Sequence, residues 1–266
     1  MCIFSGPVED VGGTSIFCAD LGSEHATVYE MSATITTDLA MILPVPIRPG
    51  GGEKDLRFVN LEDYPDFFMD MDKLFPAPVT RGGDSFKGGM LGSARSMLEV
   101  QQIGQYEATF VPSVSDLNRL DPRFKLPELL FEKLPDYSRF GFAVFKLKPT
   151  ASRQKSNFHP MAYTYPPDDR DILFYPTIHV HDGAVKAAAR YDHKLYFQRG
   201  GRFGPCGWPE SAYRPAAHVK IHQTAGLVRE DQAMHRLKIN GFEKNRDVAI
   251  INRDGKCEQE SRMVRG

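Results

Sequence analysis

The residues best suited to chemistry are a cysteine at position 2 and a group of histidines between 159 and 222. Removal of Met1 would leave Cys2 at the N-terminus, with a thiol and an α-amine on one carbon. Enzymes of that design use one group as nucleophile and the other as base. The plainer role for Cys2 is that of a small apolar residue starting a buried strand. In "HVH" the period of two places His179 and His181 on one face of a strand. Such a pair is a common first half of a metal site. His159 falls on the preceding strand and His193 on the next. Consecutive pairing of those strands would let His159, His179, His181 and His193 hold zinc or another divalent ion. The same region suits a hydrolase, with Cys2 as nucleophile, His179 or His181 as base, and Asp182 or Asp192 orienting the imidazole.

The elements that must position these groups are mostly strands. "CIFSGPV" and "TSIFCADL" flank "EDVGG", which predicts a hairpin with the glycines in its turn. "ATVYEMSATI" and "LAMILPVPI" continue the β pattern. "NLEDYPDFFMDMDKLF" predicts a helix from Glu62 or Pro65 to Phe75, with a buried stripe that includes Phe67, Phe68 and Met71. The glycine-rich residues 76–95 predict a loop without the spacing of a phosphate-binding motif. "SVSDLNRLD" and "LPELLFEKLP" predict short helices, and "FGFAVFKLK" is the clearest strand. "HPMAYTYP", "DILFYPTIHVHDG" and "HKLYFQ" add further strands. The tail holds a helix candidate, "REDQAMHRLKI", and a last strand at "DVAII". The expected class is α+β, a single domain with a largely antiparallel β-sheet core and a few short helices. Residues 1–198 form the β-rich core, and residues 199–266 an irregular basic segment packed on it.

In order along the chain, "LAMILPVPIRPGG", "VQQIGQYEATFVPSVSDLNRL", "LPELLFEKLPDYSRFGFAVFKLKP" and "HPMAYTYP" resemble the bacterial domain-of-unknown-function family twenty-three thirty. The likeness lies in the LPVP turn, the YEA segment and the GFxxFxLKP strand, and covers about residues 2–198. It implies a fold and no catalytic residues. The start "MCIFSG…TSIFCAD" is also similar to N-terminal-nucleophile amidohydrolases, with Asp20 present and the arginine of the cysteine members replaced by Cys18 or Ala19.

Bulk properties narrow the function classes. A hydrophobic content of 41% and charged content of 25% suit a soluble globular chain, and no apolar run reaches the length of a membrane span. Glu9 and Asp10 come early and no basic n-region precedes them, unlike a secretory leader. The scattered cysteines 2, 18, 206 and 257 do not suggest a disulfide framework, so a cytoplasmic location is expected. The net charge of −1 divides unevenly: residues 1–133 stand at −9 (20 acidic, 11 basic) and residues 134–266 at +8 (14 acidic, 22 basic). No nucleic-acid motif accompanies the basic half. The charges therefore either complement each other within the chain or attract a second copy or a charged protein partner. The expected function is a binding or assembly module. The alternatives are the cysteine hydrolase and a divalent-metal enzyme built on the HxH strand.

Overall fold

In stretches such as "LAMILPV" and "GFAVFKL" nearly every residue is apolar, and the chain buries both faces of those strands. The computed structural model describes residues 3–76, 100–104, 106–120, 137–149, 155–181, 185–198, 206–253 and 256–263. Its first half contains β1 (Ile3–Phe4), β2 (Glu9–Asp20), β3 (His25–Thr34), β4 (Leu39–Val45), β5 (Arg57–Asn60), α1 (Phe67–Lys73), β6 (Val100–Ile103) and β7 (Tyr106–Val111). Then follow β8 (Gly141–Leu147), β9 (Ser156–Asn157), β10 (Met161–Tyr165), β11 (Ile172–Tyr175), β12 (Ala188–Gln198), β13 (Met234–Lys244), β14 (Arg246–Arg253) and β15 (Lys256–Met263).

Three sheets result. One runs β1-β4-β8-β7-β6, a second runs β13-β12-β2-β3-β10-β5 with β9 beside β3, and a third runs β11-β14-β15. All named pairings are antiparallel except β2 with β12, which is parallel. The main core lies between the first two sheets, where Met41, Leu43 and Phe145 meet Tyr29, Met31 and Tyr163. Phe58 and Phe145 pack edge to face across it at 5.4 Å. The outer face of the second sheet carries Phe17, Val28 and Tyr196 against α1. The outer face of the first carries Ile42, Phe142 and Val144 against Phe174, Ile178 and Val180. Burial on both faces explains the near-continuous apolar runs of β4 and β8.

The expected α+β class is thereby corrected to mostly β. Among the described residues α1 is the only α-helix, and "SVSDLNRLD" forms a short 3-10 turn at Val114–Arg119. "LPELLFEKLP" and the glycine-rich stretch lie outside the described residues, apart from Pro76. The expected tail helix is instead a strand: "MHRLKI" is the start of β13, paired with β12 over eleven residues. Its polar Arg236 and Lys238 alternate with Leu237 and Ile239, and long-range pairing overrides local helix propensity. "EDVGG" is also not a turn. It lies inside β2, where the register with β3 shifts twice between Glu9 and Ser15, and Gly13 has φ +60°. The glycines serve a bulge. Residues 199–266 are not irregular throughout, since they supply β13, β14 and β15. Among the described residues no helix is long and apolar enough to cross a membrane.

The two charge blocks meet inside this fold. Acidic partners from the first half and basic ones from the second pair as Glu107–Lys146 at 3.2 Å, Asp10–Lys155 at 3.1 Å and Asp72–Arg236 at 2.7 Å. Asp72 also accepts from Lys194 and from the Tyr196 hydroxyl at 2.6 Å, which fastens α1 to β12 and β13. Burial works to raise its pKa, but the Lys194 and Tyr196 hydrogen bonds prevail and hold it below the usual carboxylate range.

Glu30, on β3 beside this cluster, behaves oppositely. Burial pushes it from 4.5 to about 8, with Lys194 working against the shift and Asp66 and Asp72 adding to it. The folded chain therefore keeps a proton that the unfolded chain has lost between these two pH values. Stability falls as pH rises through that window, and the full cost is present above it. Glu30→Gln should remove the penalty, raising stability at pH 8–9 by on the order of 2–4 kcal/mol and leaving it nearly unchanged at pH 4. Urea unfolding at the two pH values measures the difference.

Candidate functional site

The parallel pairing of β2 and β12 sets Thr14 beside His193. Partners in register present side chains to the same face, so the hydroxyl and the imidazole lie side by side. The bulge in β2 turns the backbone N–H of Gly13 toward Asp192, whose carboxylate accepts it at 3.0 Å. The backbone N–H of Asp192 donates to Nδ1 of His193 at 3.2 Å. That bond fixes Nδ1 as an acceptor and leaves the proton of the neutral ring on Nε2.

His179 and His181 follow β11 in an extended segment, where Val180 bridges Ile3. Buried Asn245 holds this segment. Its Oδ1 accepts the His179 N–H at 2.8 Å, and its Nδ2 donates to the carbonyls of His179 and Lys186, each at 2.9 Å. The rings then stack. His179 lies 5.5 Å from His181, 5.2 Å from His193 and 4.4 Å from Tyr191, measured between centroids. Burial drives His179 down to about 2, with His181 adding to it, and burial likewise holds His193 well below 6.5. Both imidazoles are neutral at physiological pH.

These groups line a cleft of about 690 Å³. Lys155, Lys186 and Arg190 stand at its rim with Asp10 and Asp192, and Phe242 projects from β13 at its mouth, 77% exposed. Asp10 is paired with Lys155. Thr14 is 1% and His179 7% exposed, and neither Thr14 Oγ1 nor His179 Nε2 has a hydrogen-bond partner among the described residues.

The sequence pointed to part of this arrangement. His179, His181 and His193 do come together. His159 does not, because β10 pairs with β3 and β5 while β11 joins the third sheet, so the strands are not consecutive neighbours. The His159 ring instead lies 4.3 Å from Tyr106, with Nδ1 3.1 Å from the Pro160 carbonyl. The expected zinc or other divalent-metal set does not fit. Imidazole lone pairs lie in the ring plane, and rings tilted by only 25–26° and more than 5 Å apart do not aim at one point about 2 Å from each nitrogen. Among the described residues no group of three or more His, Cys, Asp or Glu could hold a metal ion. Cys2 and Asp182 lie outside the described residues. Asp192 directs its carboxylate to Gly13 N–H.

Sequence reading missed Thr14, Tyr191 and Asn245. Tyr191 was within reach, since "YDH" sets it on the same face as His193. Nothing local marks Asn245, whose partners lie 59 and 66 residues away.

No family model matches the chain. Among solved structures it is similar to baculovirus P35, at 13% identity and a TM-score of 0.47, over 100% of each chain. It is also similar to a chain of the caspase-8/P35 complex, at 11% identity and a TM-score of 0.38, over 95% of this chain and 85% of that one.

Proposed function

We propose that the chain is a protein-binding module that adds an extended, acidic segment of a partner to the outer edge of β13. The observation that carries this reading is the outer edge of that strand, which no described strand pairs. Its first residues are covered: Arg236 N–H donates to Pro209 O at 3.0 Å, and Met234 O accepts from Ser211 at 2.7 Å. Continuing the period of two, Lys238 and Asn240 turn their N–H and C=O groups outward, and no described strand lies on that side. A row of outward donors and acceptors is a template for an added strand.

Charge selects the occupant. Lys238 and Lys244 along β13, with Arg190 opposite Phe242 on β12, favour carboxylates. The same cations disfavour pairing of β13 with a second copy of itself. Phe242 supplies an apolar anchor of the kind that dominates interface energetics.

Panning a random dodecapeptide library against the full chain tests the proposal. Acidic sequences should be enriched, and their affinity should drop about tenfold or more in a Lys238→Glu/Lys244→Glu variant. Phe242→Ala should weaken them too, without loss of fold. Enrichment without an acidic bias, or acidic peptides indifferent to the charge reversal, would overturn it.

A further inference from the structure

We propose that the inner end of the cleft is an oxyanion-binding site, taking a carboxylate or phosphate group at Thr14 and His179, with Arg190 at the rim supplying positive charge. This proposal stands on the cleft alone and does not need the β13 edge to engage a protein.

Two buried polar atoms without partners among the described residues face the same cleft, and they come from distant parts of the chain: Thr14 Oγ1 from β2 and His179 Nε2 from the segment after β11. Leaving such atoms unmet costs about 1–3 kcal/mol each, so a ligand that meets both recovers that cost on binding. Each can present a hydrogen to an acceptor. The Thr14 hydroxyl rotates freely, and a neutral imidazole can carry its single proton on Nε2. Asn245 fixes the His179 backbone from both sides, so the donor position is set before any ligand arrives.

The rim decides the sign of the ligand. Lys155 is satisfied by Asp10, and Asp192 is engaged by Gly13. Arg190 is exposed and makes no ion pair with the described residues, and Lys186 stands next to the His179 backbone through their shared partner Asn245. An exposed guanidinium lining the cleft, together with two buried neutral donors, matches an oxyanion, which accepts at every oxygen. A divalent cation meets the opposite: near-parallel imidazoles and a cationic rim.

The test is a titration of the ¹⁵N-labelled full chain with inorganic phosphate and, separately, with succinate, followed through imidazole and amide resonances. His179 Nε2 and the Thr14 amide should shift saturably with at least one probe. Saturation by phosphate only identifies a phosphate site, by succinate only a carboxylate site, and by both a general oxyanion site. Thr14→Val and Arg190→Gln should each weaken binding about tenfold. Thr14→Val should melt no lower than the parent, since it deletes a hydroxyl that has no partner among the described residues, so lost binding cannot be put down to lost fold. No saturable shift with either probe, or full binding by both variants, would overturn the proposal. The small probes report on the cleft and the peptides on the β13 edge, so one reading can fail while the other holds.

Discussion

Asp247→Ala should cost on the order of 4 kcal/mol or more, a large part of a typical domain's stability. One oxygen of this buried carboxylate accepts the backbone N–H groups of Thr177 at 2.8 Å and Ile178 at 3.0 Å, and the other takes the Tyr137 hydroxyl. Those donors belong to the segment leading into His179 and to the wall of the first sheet. Alanine would leave all three donors without their acceptor in a buried setting. Asp247→Asn should be far milder, within about 1 kcal/mol, because its Oδ1 still serves both N–H groups. The charge itself is a burden: burial lifts Asp247 from 3.8 to about 6 despite its donors. The folded form thus holds the proton longer than the unfolded form, and stability drops as pH climbs through that interval. The Asn variant should lack this slope. Urea titrations of the three proteins at pH 4 and pH 7 measure both effects, and an Ala variant as stable as the parent would refute the assigned role.

Reduction of the Cys206–Cys257 bond should lower stability by about 2–4 kcal/mol, the usual range for a bridge closing a loop of this size. The two cysteines are 51 residues apart with Cα atoms at 4.9 Å, well within bonding geometry. The bond ties the segment bearing Trp208 to β15. Trp208 packs on Tyr175 at 5.6 Å and Phe197 at 5.4 Å, and its Nε1 donates to Gln259 at 3.0 Å. As the single tryptophan of the chain, it reports the change directly. Its emission should move to the red, and the thermal midpoint should fall, when reductant is added. Alkylation of the unreduced native chain should spare Cys206 and Cys257. It should also spare Cys18, which is buried and whose thiol is raised far above its usual value by that burial. Modification of Cys206 or Cys257 in the untreated protein would remove the bond from the account.

What the sequence made legible follows the range of the forces involved. β3, β4, β8, β10 and β12 were visible because their apolar content is local and dense. Their partners were not. Alternation in "HKLYFQ" shows a strand but not that it lies parallel to a strand some 180 residues earlier. The disulfide was hidden for the same reason: cysteines 51 residues apart carry no spacing signal, and only the fold brings them together. The histidine cluster was half legible. Period two correctly put His179 beside His181, while the assumption of consecutive pairing misplaced His159. The glycines of "EDVGG" read locally as a turn because turn and bulge both call for positive φ, and only the register with β3 distinguishes them.

The parallel pairing of β2 with β12 also constrains how the chain is made. Residues 14–18 of β2 have no neighbour on one side until residues 193–197 are available. At about 5–20 residues per second, translation leaves that side open for roughly 10–40 s. During that time β2 and β3 can form their antiparallel ladder, but Ile16, Phe17 and Cys18 border an unfilled edge. Pairing over such a sequence separation pays its loop closure before its contacts form, so the second sheet is completed late. The nascent chain therefore passes through a long-lived state whose exposed β2 edge invites chaperone capture or strand pairing between neighbouring nascent chains.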